Sequence, residues 1–289
     1  MKRYKKEHDG KLEVGQMLYT RHFTLEIDRR LCKGCELCGL VCPRGAITLV
    51  PADDAGGKAV APLVDVDENK CDFHGICAVV CPFSAIRITT DGKAEFPAVA
   101  AKVFPELLRD IKVNAEKCEP GCKRCEETCP LGIVAARADP DGRTRVDIQT
   151  ELCAGCGICW MECPAGAIEY TKFIEGAIQI DPGACPDGCR RCLDVCPVNA
   201  LGLDAGGKVF AKDIYCVYCG ACVRVCPNGD ALRVERTAVR HTPVNSGAWH
   251  KGLERLTSTA GLMRELAAEN AGKARKAINS LGSIEVSEI

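Results

Sequence analysis

The chain has 289 residues, of which 47% are hydrophobic and only 5% aromatic, with 23 cysteines and a formal net charge of −1. That composition argues against a large hydrocarbon core and for small units stapled by inorganic centres. The five tyrosines and the lack of a repeated basic–aromatic pattern exclude a nucleic-acid binder, and every apolar stretch falls short of the roughly 20 residues a membrane helix needs.

The chain opens on MKRYKKEHDG, which is basic but has no apolar core of a secretory signal. A reducing cytoplasm is therefore the expected location, and pairwise oxidation of the cysteines is not. Residues 1–22 read as a basic arm that makes contact with another chain or frays. A first domain is expected over 23–96, where FTLEID and PLVDVD precede two cysteine groups and AITLV and AIRIT follow them. These alternating segments read as short antiparallel strands. Its groups are Cys32, Cys35, Cys38, Cys42 and Cys71, Cys77, Cys81. Val99, Val103, Phe104 and Leu107 predict a helical connector over 97–112.

The second domain, 113–176, holds Cys118, Cys122, Cys125, Cys129 and Cys153, Cys156, Cys159, Cys163; the third, 177–240, holds Cys185, Cys189, Cys192, Cys196 and Cys216, Cys219, Cys222, Cys226. The third and fifth groups each carry one extra residue, and a Gly before their second cysteine (CEPGC and CPDGC). This alternation makes 118–163 and 185–226 two copies of one unit and fixes the pairing of groups as first with second, third with fourth, fifth with sixth. The turns DDAGGK, DPDG and DAGGK reverse the chain between strands. From 241 to 289 a helical tail is expected, with Trp249, Leu253, Leu256, Leu262, Leu266 and Ala267 on one face. Docking on a partner subunit is favoured over packing back on the domains.

Five groups end in Cys-x-x-Cys-x-x-x-Cys-Pro, and Pro43, Pro82, Pro130, Pro164, Pro197 and Pro227 follow the six last cysteines. This is the bacterial ferredoxin spacing for [4Fe-4S] clusters, in which the fourth cysteine of each run ligates the other cluster of the pair. Six clusters are then expected. Cluster 1 takes Cys32, Cys35, Cys38 and Cys81; cluster 2 takes Cys71, His74, Cys77 and Cys42. Cluster 3 takes Cys118, Cys122, Cys125 and Cys163; cluster 4 takes Cys153, Cys156, Cys159 and Cys129. Cluster 5 takes Cys185, Cys189, Cys192 and Cys226; cluster 6 takes Cys216, Cys219, Cys222 and Cys196. The fold class is α+β, three tandem two-cluster ferredoxin-like domains with a C-terminal helical extension. Each oxidised all-thiolate cluster carries about −2, which Lys123, Arg124, Arg190 and Arg191 inside the third and fifth groups either offset or ignore as a solvated face.

His74 stands where the pattern asks for a cysteine. A neutral imidazole in place of thiolate makes a cluster one charge less negative and raises its potential. A [3Fe-4S] cluster, or a ligand from Asp72 or water, competes with this reading; the preserved spacing favours His74.

Six centres strung through three domains read as a line that carries electrons over distance. The chain has no dinucleotide fingerprint, P-loop, nucleophile elbow or patterned acid–base pair, so catalysis is assigned to other subunits. The repeated cysteine runs resemble those of archaeal polyferredoxins. CDFHGICAVVCPFSAI, the paired CEPGCKRCEETCP and CPDGCRRCLDVCP, and TPVNSGAWHKGLERL are most similar to the polyferredoxin component of tungsten/molybdenum formylmethanofuran dehydrogenase, where the family has cysteine at the position of His74. That resemblance implies a cytoplasmic archaeal complex in which the clusters relay low-potential electrons, exchanged with an external ferredoxin or other carrier, to a catalytic partner that reduces carbon dioxide. A polyferredoxin of a hydrogenase or heterodisulfide reductase, a free multi-cluster carrier, and a structural zinc protein remain alternatives; zinc prefers separated tetrahedral pairs.

Overall fold

The structure is a computed structural model that describes residues 1–94, 97–139, 142–244, 246–258, 263, 266–267, 270–271 and 273–274. Domain 1 begins earlier than expected. β1 (Lys2–His8) and β2 (Lys11–Met17) form an antiparallel hairpin in register from Lys2↔Met17 to His8↔Lys11. Asp9 and Gly10 make the turn at φ 50° and 73°, the left-handed pair that two-residue hairpins favour. Leu12 and Val14, two apart on β2, are fully buried, as the period of a strand requires. The expected basic arm is thus corrected to a structural hairpin, because its apolar alternation has a sheet to join.

That sheet continues through β3 (His22–Asp28), and after α1 (Leu37–Val41), β4 (Ile47–Val50), β5 (Leu63–Val66) and α2 (Ile76–Val79) it ends with β6 (Ile86–Thr90). The order is β1-β2-β3-β6, and β4 pairs separately with β5. The 97–112 connector is helical only in α3 (Pro97–Ala100). Leu107 instead bridges His241, and Leu108 N–H donates to the Arg240 carbonyl, so the C-terminal segment captures this stretch by backbone pairing. Residues Ile111–Val113 already belong to the next domain, as β7.

Domains 2 and 3 repeat one plan. After β7 come α4 (Arg124–Thr128), β8 (Val134–Ala138), β9 (Thr144–Ile148), α5 (Ile158–Met161) and β10 (Ile168–Tyr170), with β7 paired to β10 and β8 to β9. Then follow β11 (Ile174–Ile180), α6 (Arg191–Asp194), β12 (Leu201–Leu203), β13 (Val209–Ala211), α7 (Ala221–Arg224) and β14 (Leu232–Val239), with β11 paired to β14 and β12 to β13. In every domain the outer strands close on each other and the inner hairpin lies across the cysteine loops. The α+β tandem ferredoxin fold read from the motifs is the fold observed.

α8 (Gly247–Leu256) follows β14 and is capped by Ser246, whose hydroxyl accepts from Trp249 N–H. Trp249, Leu253 and Leu256 are buried in the core that unites domain 1 with parts of domains 2 and 3. A Cβ on Gly252 would come 2.9 Å from Ile76 Cδ1, so glycine lets α8 approach α2. For Trp249, Leu253 and Leu256 the expectation of docking on another subunit is corrected, because domain 1 already buries them. Leu262 lies outside the described residues.

Candidate metal centres

The second ligand position of each group is set by backbone chirality. Cys35, Cys156 and Cys219 are each flanked by two left-handed residues: Gly34 and Glu36, Gly155 and Gly157, Tyr218 and Gly220. His74 sits between Phe73 at φ 59° and Gly75 at φ 92°, in the same conformation. A bulky residue such as Phe73 or Tyr218 in that region is a genuine outlier, so the loop holds its shape against local preference. In the third and fifth groups the left-handed residue is Gly121 or Gly188, just before the second cysteine, and Lys123 and Arg190 after it are at φ −120° and −132°. The extra residue moves the turn upstream.

The fourth cysteines follow a second rule. The N–H of Ala46, Ala85, Ala167 and Ala200 donates to Sγ of Cys42, Cys81, Cys163 and Cys196 at 3.3, 3.3, 3.3 and 3.2 Å. The residue before each alanine (Gly45, Ser84, Gly166, Asn199) is left-handed, which turns the amide back on the sulfur. Cys-Pro-x-x-Ala is legible in the sequence at these four places, but the bond that gives its alanine a role is visible only in the fold. Such N–H···S bonds stabilise sulfur negative charge and tune potential.

Four cavities show the crossed pairing in space. One is framed by Cys32, Cys35, Cys38 and Cys81; another by Cys118, Cys122, Cys125 and Cys163; a third by Cys129, Cys153, Cys156 and Cys159; a fourth by Cys196, Cys216, Cys219 and Cys222. Each is a small space of about 20 Å³ between sulfur and hydrocarbon. The other two sets are brought together as well. Burial, then Cys226 and Cys189, raise the Cys185 thiol; burial pushes Cys71 up to about 11, with Asp72 and Cys42 adding to it. All 23 cysteines are free.

The donor chemistry fits a polynuclear metal core. Burial, followed by repulsion from Cys35, Cys77, Cys81 and Cys32, pushes the Cys38 thiol far above its ordinary value. Cys159 rises to about 12 from burial and then Cys156, Cys153 and Cys129. Four thiols so crowded in an apolar pocket cannot ionise together without a cationic core between them, and metal binding supplies the deprotonation. His74 Nε2 is buried with no hydrogen-bond partner among the described residues, and Nδ1 lies 3.8 Å from Asp72 Oδ1. Burial holds its pKa below the imidazole range against the pull of Asp72. An orphaned ring nitrogen on a cluster-type loop has the chemistry of a metal ligand.

The cations named from sequence sit elsewhere. Arg124 pairs with Glu162 at 2.9 Å, Arg190 with Asp194 at 3.5 Å, and Arg191 with Asp54; they are surface ion pairs, the last of them between domains. Other cations, for which the sequence gives no cue, contact the cysteine loops, Arg109, Lys172 and Arg236 among them. Arg109 donates to the carbonyls of Cys81 and Pro82, both at 2.9 Å, and of Cys153. Lys172 Nζ donates to the Cys216 carbonyl at 2.9 Å, and Arg236 to those of Tyr218 and Cys219 at 2.7 and 2.9 Å. No short-range signal marks them, since each lies outside the cysteine runs.

The domains do not form a line. Domain 1 meets domain 2 at Cys81 and Cys153 through Arg109. It also meets domain 3, where the Cys35 thiol is raised first by burial and then by Cys219. Domains 2 and 3 meet at Lys172, whose charge interacts with both Cys216 and Cys156. The expectation of a linear string is corrected to a closed arrangement, because a shared core folds the third domain back on the first.

Three two-centre modules with crossed cysteine quartets define the class, a tandem iron–sulfur ferredoxin. The pattern of the 4Fe-4S dicluster domain matches residues 31–85, 117–167 and 184–230, more than half of the chain, and the protein belongs to that family. The chain is 34% identical over 106 residues to the polyferredoxin protein MvhB of Methanothermobacter marburgensis, covering 34% of this chain and 24% of that one. It is 33% identical over 119 residues to the polyferredoxin-like subunit of aliphatic sulfonate oxidoreductase from Pyrococcus furiosus, covering 40% and 53%. The chain thus spans between a quarter and about half the length of these curated relatives. A chain of the formate dehydrogenase–heterodisulfide reductase–formylmethanofuran dehydrogenase complex from Methanospirillum hungatei superposes with a TM-score of 0.80 at 28% identity, over 89% of this chain and 92% of that one. The resemblance to archaeal polyferredoxins is borne out.

Proposed function

We propose that the protein is an electron-transfer subunit holding six [4Fe-4S] clusters, and that it relays low-potential electrons to the catalytic subunit of a cytoplasmic oxidoreductase complex, formylmethanofuran dehydrogenase. The observation that carries this is the crossed cysteine quartet around each of four cavities. The six ligand sets are those given by the spacing, with His74 completing Cys71, Cys77 and Cys42. When bound, the clusters supply one-electron exchange at low potential. The chain's own residues do the rest. Apolar side chains such as Ile27, Val64, Phe83 and Ile86 line one cavity and keep water from the sulfurs. The four Ala N–H groups bond the fourth-ligand sulfurs. No described helix is long and apolar enough to cross a membrane.

The solved complex in which a similar chain occurs supports the choice of parent complex. The likeness to a polyferredoxin protein of the MvhB type supports a second reading, service to a hydrogenase or heterodisulfide reductase. Anaerobic purification decides both levels. A brown protein with about 24 irons, four for each of six clusters, and matching sulfide supports the assignment, and a colourless one with about six zincs overturns it. A molybdopterin subunit that co-purifies selects the first complex over the second.

A further inference from the structure

Three half-buried cations sit at the three domain junctions, each between two cysteine sets of different domains. Arg109 bridges the Cys81 carbonyl of the cluster 1 set and the Cys153 carbonyl of the cluster 4 set, and its guanidinium lies over the Phe173 ring at 4.9 Å. Arg236 binds the Cys219 carbonyl of the cluster 6 set and lines one cleft with Cys35 of the cluster 1 set. A Cβ on Gly220 would stand 3.0 Å from Arg236 Nη2, so glycine there leaves room for the guanidinium. Lys172 binds the Cys216 carbonyl of the cluster 6 set beside the Tyr218 ring, 4.7 Å from its centroid, and lies two residues after Tyr170, whose hydroxyl donates to the Gly155 carbonyl next to Cys156 of the cluster 4 set.

Among the described residues, neither Arg109 nor Arg236 forms an ion pair, whereas Arg224, next to Arg236, is paired with Glu36 at 2.6 Å. A buried cation without a carboxylate is costly unless another negative charge compensates it. The cysteine sets on either side supply that charge, with Glu151 adding to it at Arg109 and Asp213 at Lys172. Each cation therefore faces two anionic centres at once and favours the reduced, more negative state of both.

We infer that Arg109, Lys172 and Arg236 are positioning residues that hold the sets of clusters 1, 4 and 6 against one another and raise their potentials together, making the protein a three-way electron junction with clusters 2, 3 and 5 as its outer ends. An electron leaving one centre enters its neighbour, so the exchange needs no proton and no further reactant. The outer ends differ in access. Cys118 and Cys185 are partly exposed, whereas α8 and the N-terminal hairpin cover the cluster 2 set: Arg255 donates to the Cys42 carbonyl at 3.1 Å and Arg3 to that of Cys71 at 3.2 Å.

This inference rests on the cluster assignment above, and iron content separates the two. The test uses the full chain, purified anaerobically, with Arg109→Met, Lys172→Met and Arg236→Met beside the charge-preserving Arg109→Lys, Lys172→Arg and Arg236→Lys. Potentials are read by redox-titrated electron paramagnetic resonance. With iron unchanged, each Met variant is expected to lower two centres by about 59 mV, tenfold in the ratio of a one-electron couple. Any two of these affected pairs share one centre, and the charge-preserving variants stay close to the parent. Lys172→Met removes the most exposed of the three anchors and stands as the reading if an arginine variant fails to take up iron. Unchanged potentials in iron-replete Met variants, or a shift confined to a single centre, overturn the junction. A parent protein without iron would overturn the cluster assignment itself.

Discussion

At the scale of single residues the most informative position is His74. Its ring takes the seat that Cys35, Cys156 and Cys219 take in their own loops, between two left-handed residues, and its Nε2 has no hydrogen-bond partner among the described residues. Replacing imidazole by thiolate adds one negative charge to the centre and favours its oxidised state. His74→Cys is expected to lower the potential of one centre, and only one, in a redox titration; a titration in which all centres keep their values would show that the imidazole does not bind iron. The sequence marks this position through spacing alone. It does not reveal Phe73 at φ 59°, because a bulky residue adopts that conformation only where the rest of the fold imposes it. Arg109, Lys172 and Arg236 are hidden for a related reason: a cation's role depends on what lies across a domain boundary.

At the scale of elements, the repeated strand pairs are legible from alternation and turn chemistry, while the two ends of the chain are not. Lys2–His8 is mostly polar, so it reads as an arm; its partner Lys11–Met17 carries Leu12 and Val14, too short a run to stand out before a sheet is known to receive it. The apolar stripe of Gly247–Leu256 is evident in the sequence and its destination is not, since periodicity gives a face without naming its neighbour. Trp249 is fully buried, with Nε1 donating to His241 Nε2 at 3.0 Å and the two rings edge to face. Trp249→Ala is expected to cost about 3–5 kcal/mol, measured as a lowered denaturation midpoint of the iron-replete protein. A variant as stable as the parent would mean that α8 does not close domain 1.

At the scale of the whole molecule the stability is uneven. The core shared by domain 1, α8 and the junction holds many buried aliphatic side chains. The separate cores of domains 2 and 3 consist of two cysteines and three aliphatic residues each: Cys125, Ile133, Val134, Cys159 and Ile168, and Cys192, Leu201, Val209, Cys222 and Leu232. Where cysteine makes up so much of the core, bound metal is folding free energy. Anaerobic chelation of iron is therefore expected to erase hydrogen-exchange protection in β8–β9 and β12–β13 while the four-stranded sheet β1-β2-β3-β6 keeps part of its own. Simultaneous loss everywhere would show that the metal, and not this sheet, organises domain 1 as well.

By itself the sequence determined the iron–sulfur class of chemistry and the count of modules, because a metal core dictates ligand spacing over a few residues and spacing is a local property. Only the tertiary structure decided that the hairpin and α8 belong to domain 1, that the three domains close on one another, and that three cations stand at their meeting points. Those outcomes depend on which surfaces bury each other, and burial is a property of pairs of segments far apart in the chain.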